Sequence, residues 1–453
     1  MATDTAITPM MDLTNYRSMG SGKSRRVTVT PEQSGTVTVS SSSTVDSFFS
    51  IPSSRYSVIN PQGCYLQFDY AITGTTTAGT VTASAVSLGP SNGSTQSFIR
   101  TLELTAQGQS VELLDNYNVW ACIMDDFQSG GRSKGLLSIS EGSNAAILNS
   151  TPADGTTSTT LAVQLNTQSL VKQPFIHTST QVYRSCIPLY SSVIGTLAET
   201  YIPAADGLRL RVSWDNYLKG CVGATVTALS ITNLKLHLDF IDIDPAVMMN
   251  LAKEGNGLLK SHMTGVTNFQ VSGASGDAAI SALIPARYSS VKFLMNSWRA
   301  SAAADAPKND VGNRFYPALD TYSINIGGRQ YPPTAISCRT TSGVAPAEVL
   351  MELGKVFGQI HSPQLETVFG YNEFVSTGVA AVPGTASFVC GLCFEEYSGA
   401  NRVVSGLDTN SSNMYIQTTH NASVGAAYLL DTFVGYDMIL EYDVASGALS
   451  FSK

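Results

Sequence analysis

One phrase is written twice in this chain. Ile51-Pro52-Ser53-Ser54-Arg55-Tyr56-Ser57-Val58 returns as Ile284-Pro285-Ala286-Arg287-Tyr288-Ser289-Ser290-Val291. The order of the segments after each copy is shared as well. The first copy is succeeded by a strand-like run over 64–72, a second over 101–105 ending at Gly108, and a helix-like stretch over 111–124. The second is succeeded by 291–298, then 322–326 ending at Gly327-Gly328, then a helix-like stretch over 347–357. Later elements align too, with Glu112 set against Glu348 and Leu234 against Tyr436, and loops of unequal length absorb the drift. The pattern implies a β-rich unit fused to a copy of itself.

The length agrees. A chain of 453 residues is too long for one hydrophobic core and suits two domains of sandwich size. Charged residues make up 13% of it, about half of the usual ~25%. Solubility then rests on Ser, Thr, Asn and Gln, or partners cover much of the surface. A net charge of −8 argues against a protein that coats nucleic acid over its whole surface. The seven cysteines are scattered, and no charged-then-apolar leader opens the sequence, so free thiols in a reducing compartment are expected. No apolar run approaches the ~18–20 residues of a membrane helix.

Along the chain, residues 1–26 lack an apolar period and carry Arg17, Lys23, Arg25 and Arg26 against Asp4 and Asp12. They read as a flexible, slightly basic arm. A first β unit is expected over 27–245, in which 208–214 and 234–240 alternate apolar and polar residues. The alternation slips at Phe240-Ile241, which predicts a bulge or a strand end. Asp244-Pro245 is an N-cap followed by Pro at the first helical position, and Gly255 closes the segment, so 246–258 is expected to be a linker helix. The second unit, 259–453, ends in a hairpin turning at Ala445-Ser446-Gly447. The stretches 127–160 and 365–385, rich in Gly, Ser, Thr and Ala, are expected to be long loops.

No catalytic constellation emerges. Gly20-Ser21-Gly22-Lys23-Ser24 invites a phosphate-loop reading, but Arg17 stands where the first glycine belongs. Gly89-Pro90-Ser91-Asn92-Gly93 has the letters of a nucleophile elbow without a helix behind the serine. Cys390 and Cys393 have redox or zinc spacing, yet on a strand residues three apart face opposite sides. Buried structural thiols are the expectation there. The five histidines, at 177, 237, 262, 361 and 420, show no metal-ligand spacing. Asp125-Asp126 and Glu395-Glu396 read as solvated loop ends. Asn92, Asn149, Asn410 and Asn421 begin chance glycosylation sequons. No catalytic residue, cofactor or metal is expected.

Several segments, taken in order, resemble double jelly-roll major capsid proteins. In the first half these are Ser97-Phe98-Ile99-Arg100, Gly108-Gln109 with Glu112 to Asn118, and Cys186-Ile187-Pro188-Leu189-Tyr190-Ser191-Ser192-Val193-Ile194-Gly195 succeeded by Tyr201-Ile202-Pro203. In the second they are the Ile284 copy of the phrase, Ile326-Gly327-Gly328-Arg329-Gln330-Tyr331-Pro332, Ser405-Gly406-Leu407-Asp408-Thr409 and Phe433-Val434-Gly435-Tyr436-Asp437. The chain is most similar in this respect to the capsid proteins of polinton-like viruses, virophages and related DNA viruses. The resemblance implies an all-β fold of two tandem eight-stranded jelly-roll sandwiches, with short helices in the connections. It also implies a homotrimer that forms a pseudo-hexameric capsomer, tiles an icosahedral shell, and meets neighbouring capsomers and a penton or minor capsid protein. Residues Arg17, Lys23, Arg25 and Arg26 would then lie on the inner face or a seam and touch encapsidated nucleic acid weakly.

Two other readings compete. A single jelly-roll capsid protein with a projecting β domain predicts unlike halves. A β-sandwich carbohydrate-binding protein needs an exposed aromatic platform, whereas Trp120, Trp214 and Trp298 all lie in apolar-periodic stretches.

Overall fold

The computed structural model describes residues 22–33, 35–74, 89–90, 94–128, 180–222, 226–255, 257–301, 311, 314–338, 347–360, 374–375, 388–395, 406–420, 424 and 427–453. Arg17, His177, His361, the sequons at 92, 149 and 421, and most of the two expected long loops lie outside these residues.

In the first half, strands β1 (Lys23–Val29), β2 (Val37–Val39), β3 (Val45–Ser50), β4 (Ser57–Gly74) and β5 (Gly89–Pro90) precede β6 (Ile99–Ala106) and β7 (Gln109–Leu114). Helix α1 (Tyr117–Gln128) is next. Then come β8 (Tyr183–Pro188), β9 (Ile202–Pro203), β10 (Leu208–Trp214), the one-turn α2 (Tyr217–Gly220), β11 (Cys221–Val222) and β12 (Val226–Asp242). Helix α3 (Pro245–Glu254) leads into the second half. There β13 (Leu258–Gly273), β14 (Ala279–Ile284), β15 (Val291–Ala300), β16 (Leu319–Ile326) and β17 (Arg329–Ser337) precede helix α4 (Ala347–Ile360). The chain closes with β18 (Val389–Cys393), β19 (Met414–His420), β20 (Tyr428–Asp443) and β21 (Leu449–Ser452).

The two halves share one topology. The first has antiparallel sheets ordered β1-β12-β4-β8 and β3-β10-β6-β7, and the second has β13-β20-β15-β18 and β14-β19-β16-β17. Counting only these eight main strands in each half, both read first-eighth-third-sixth and second-seventh-fourth-fifth. That is a jelly roll, two sheets laced by Greek-key connections. The repeated phrase falls at matching places: Ile51 comes directly after β3, and Ile284 ends β14. A finer detail repeats as well. Ser57 Oγ donates to Asp242 Oδ1 at 2.6 Å, and Ser290 Oγ donates to Asp437, tying the third strand to the eighth in each roll. Unlike halves are thereby ruled out, and with them a single jelly roll bearing a projecting domain.

Alternation decides which face of each strand is inside. Leu208, Leu210, Val212 and Trp214 of β10 are buried. Phe68 packs edge-on to Trp214, with ring centroids 5.3 Å apart, across the two sheets of the first roll. Trp120 and Trp298 are buried too, so none of the three forms an exposed aromatic platform. Helix α3 starts as its sequence predicts, with Asp244 accepting from the Ala246 amide and Pro245 opening the helix, but Gly255 caps it at Glu254, short of the expected 258, and strand β13 already begins at Leu258. The closing hairpin turns at Ala445-Ser446-Gly447, where Gly447 has φ +75°.

Four expectations are corrected. The helix-like stretch over 111–124 is strand β7 up to Leu114, and Asn116 turns the chain at φ +50° before α1 begins. Glu112 on that strand is therefore not the counterpart of Glu348 on α4. The arm expected to reach residue 26 gives way to strand at Lys23, because β1 pairs along β12 from Lys23↔Asp242 to Val29↔Leu236. Strand β12 runs through Phe240-Ile241, and its nearby irregularity against β4 falls between His237 and Asp239. Finally, Asp125, Asp126 and Glu395 are buried rather than solvated; Glu396 lies outside the described residues. The fold brings each of the three a partner from elsewhere in the chain: Tyr190 donates to Asp125, Arg314 pairs with Asp126, and the Lys292 ammonium forms an ion pair with Glu395.

Candidate functional site

The junction between the two rolls holds a dense group of buried polar side chains. Helix α1 carries Trp120, whose ring lies 5.1 Å from that of Phe433 on β20. Further along the helix, Asp126 pairs with Arg314, both buried. Phe127 stacks on Phe357 of α4, 5.3 Å between centroids. Just before α1, Asn116 Nδ2 donates to Asn268 Oδ1 of β13 at 2.9 Å. Asn116 also reaches the buried Asp431, which accepts from Arg299 Nε at 2.6 Å and Gln270 Nε2 at 2.7 Å. A buried carboxylate needs such partners, because desolvation without them costs several kcal/mol.

The segment 186–195 braces this junction from the first roll. Tyr117 Oη donates to Gln96 Oε1 and accepts from the Tyr190 amide, and Trp120 Nε1 donates to Tyr190 O at 3.0 Å. Tyr190 Oη donates to Asp125. Ser191 Oγ and the Ser192 amide and hydroxyl all donate to Glu112. Burial pushes the Glu112 carboxyl above its ordinary value, against the pull of those donors. Gly195 is required sterically: a Cβ there would overlap the Leu189 carbonyl oxygen.

A second polar group sits on β13, β15 and β20. Lys292 Nζ lies 3.3 Å from Glu395 Oε2 and 3.7 Å from Asp437 Oδ1, and donates to Thr264 Oγ1 at 3.1 Å. His262 Nε2 lies 2.9 Å from Asp437 Oδ1. Burial works against the Asp437 carboxylate, but His262, Ser290 and Lys292 hold it below its ordinary value. The lysine ammonium stands between the two carboxylates, in the place a cation would take. Among the described residues no group of three His, Cys, Asp or Glu could hold a metal ion.

The residues expected to touch nucleic acid are on β1, apart from Arg17. Arg25 Nε is 3.2 Å from Asp242, and its guanidinium lies 5.1 Å from the Phe240 ring centroid. Arg26 Nε is 3.7 Å from Asp239, over the Tyr65 ring at 5.4 Å. All three side chains, Lys23 included, are exposed, yet the positive charge of two of them is balanced by β12. Sequence reasoning missed this because the aspartates lie more than 200 residues away.

The paired cysteines of the sequence lie on a buried strand. Cys390 is buried on β18, which drives its thiol pKa well above the ordinary value, and Cys393 Sγ points to Glu395 O. None of the seven cysteines is in a disulfide. Gly89-Pro90 forms a two-residue ribbon with Cys221-Val222, and Ser91-Asn92-Gly93 lie outside the described residues. A polar notch of about 310 Å³ lies between the rolls, lined by Arg55, Ala204, Asp206, Tyr442, Ser446 and Gly447. Arg55 Nε there donates to Val444 O at 2.9 Å, which makes the notch another joint between the rolls.

No family model matches the chain, and no curated protein matches its sequence. The similarity lies in the fold. A chain of the Sputnik virophage structure matches with a TM-score of 0.56 at 13% identity, over 98% of this chain and 92% of that one. The Faustovirus major capsid protein matches at 0.56 and 10% identity, over 94% and 91%. A chain of the PBCV-1 virus capsid matches at 0.54 and 11% identity, over 97% and 98%. These matches span both rolls and the helix between them, and the fold of this chain is the double jelly roll.

Proposed function

We propose that this chain is a major capsid protein, and that three copies form a pseudo-hexameric capsomer that tiles an icosahedral virus shell. One observation carries the reading. The whole chain, both rolls in order, resembles the fold of viral capsid proteins, and the described residues present no site better suited to catalysis. A low content of charge, with two rolls joined by a buried seam, fits a subunit whose sides are covered by neighbours. Assembly would involve other capsomers and a penton or minor capsid protein, with the virion as the final location. Arg17, Lys23, Arg25 and Arg26 would face the shell interior or a seam. Contact there with nucleic acid would be weak and salt-sensitive, since each phosphate neutralised releases counterions and Asp239 and Asp242 already compete.

Purified protein tests this directly. Light scattering should give the mass of three 48.0 kDa chains, and negative-stain images should show hexagonal particles. A monomer at tens of micromolar would end the capsomer reading.

A further inference from the structure

The polar group on β13, β15 and β20 is built around an inserted residue. In the first roll the β4–β12 ladder runs unbroken from Ser57↔Asp242 to Asn60↔Asp239. In the second, Val291↔Tyr436 is succeeded by Phe293↔Gly435, so Lys292 is the extra residue of a β-bulge. A bulge gives up a ladder position and re-aims one side chain. Here the re-aimed side chain is a lysine that is only 5% exposed. The Lys292 carbonyl accepts from the Phe394 amide at 2.7 Å, which sets Glu395 beside the bulge.

An ion pair leaves part of this group unexplained. Glu395 Oε2 lies 3.3 Å from Lys292 Nζ, is buried, and accepts no hydrogen bond among the described residues. Asp437 differs: Ser290 donates to it, His262 lies beside it, and its carboxyl is held below the ordinary value. Glu199 of the first roll feels the charges of Lys292, His262, Glu395 and Asp437, and burial pushes its own carboxyl above the ordinary value. One lysine and one histidine thus face three carboxyl groups in a site nearly closed to water. Desolvation penalises every charge there, and removing two opposite charges together relieves it.

We propose that Lys292 and Glu395 condense to an intramolecular amide, a covalent staple between β15 and the segment after β18, with Asp437 as the proton carrier. The Nζ lone pair forms a bond to Glu395 Cδ, and the bond from Cδ to one carboxylate oxygen breaks. Two of the three ammonium protons leave with that oxygen as water. Asp437, 3.7 Å from Nζ, takes the first and returns it to the departing oxygen. The second passes from nitrogen to the same oxygen as the amide forms. Nothing is oxidised or reduced, and no co-reactant is needed. Free amines and carboxylates do not condense in water, but oriented neighbours behave as though at about 10⁵–10⁸ M. The product also replaces two buried charges by one neutral amide.

The intact mass of the denatured full chain tests this. Wild type should weigh one water less than its sequence, with or without Met1. A proteolytic map should place residues 292 and 395 in one branched peptide, with no tryptic cut after Lys292. Lys292→Met and Glu395→Ala should restore the full sequence mass. Asp437→Asn, checked for a native far-UV spectrum, should be purified largely unlinked. A wild type at full sequence mass overturns the proposal, whatever the variants do. So does a missing water that maps to a cyclised Asp-Gly step such as Asp206-Gly207. A branched peptide fully formed in Asp437→Asn overturns the role of Asp437.

Discussion

Glu112 has an apolar strand around it and two serines in front of it. Its folded pKa is raised by burial, so the stability it contributes is complete below its ordinary value of 4.5 and is lost as pH rises through the folded value. Glu112→Gln should therefore flatten the fall in melting temperature between mild acid and neutral pH. Glu112→Ala should cost about 1–3 kcal/mol in denaturant titration, because the Ser191 and Ser192 donors lose their acceptor. Asp437 works in the other direction. Its folded pKa is lowered, so its contribution is present above its ordinary value of 3.8 and is lost as pH falls through the folded value. At the junction, Arg314→Ala would break the buried ion pair with Asp126, at a cost of about 3–5 kcal/mol. Replacing both by apolar residues, Asp126→Leu with Arg314→Met, should recover most of that loss in thermal melts. A double variant no better than the single one would show that the pair contributes through more than its charge.

Two elements depend on contacts far away in sequence. The loop after β8 is fixed by Gly195 against Leu189 O and by the Ser191 hydrogen bonds to the Val193 and Ile194 amides. Gly195→Ala should push the loop off α1, lower stability by about 1–3 kcal/mol, and weaken the near-UV signal of Trp120, which donates to Tyr190 O. Strand β1 is held by seven residues of ladder on β12. Removing residues 1–22 should leave the melting temperature near wild type. Removing residues 1–29 should lower it measurably, since the ladder and the Asp242 and Asp239 ion pairs go with it. Equal melting temperatures for both truncations would show that β1 adds nothing to the first roll.

At the scale of the molecule, the core residues of the two rolls form one connected cluster. Trp120 on Phe433 and Phe127 on Phe357 join them through α1. The full chain should accordingly unfold in a single calorimetric transition. A fragment of residues 258–453 should bind a hydrophobic dye strongly, because the second face of β20 would lose its cover. Two separate transitions in the intact chain, together with a soluble, dye-silent fragment, would show that the rolls are independent.

The duplication, the β class and the linker helix were legible in the sequence because each rests on local pattern. A repeated phrase, period-two alternation at Leu208–Trp214, and an Asp-Pro start with a Gly stop need no partner to be read. The identity of the distant groups that meet was beyond the sequence. Asp125 and Asp126 read as a solvated pair until the fold placed Tyr190 and Arg314 against them. The basic residues of β1 read as a free positive arm until β12 brought Asp239 and Asp242 alongside. The end of β7 and the start of α1 depend on Asn116, whose left-handed turn aims the helix at the second roll. Periodicity records burial, but the identity of the partner is set by contacts between residues far apart in the chain, and only the assembled fold contains those.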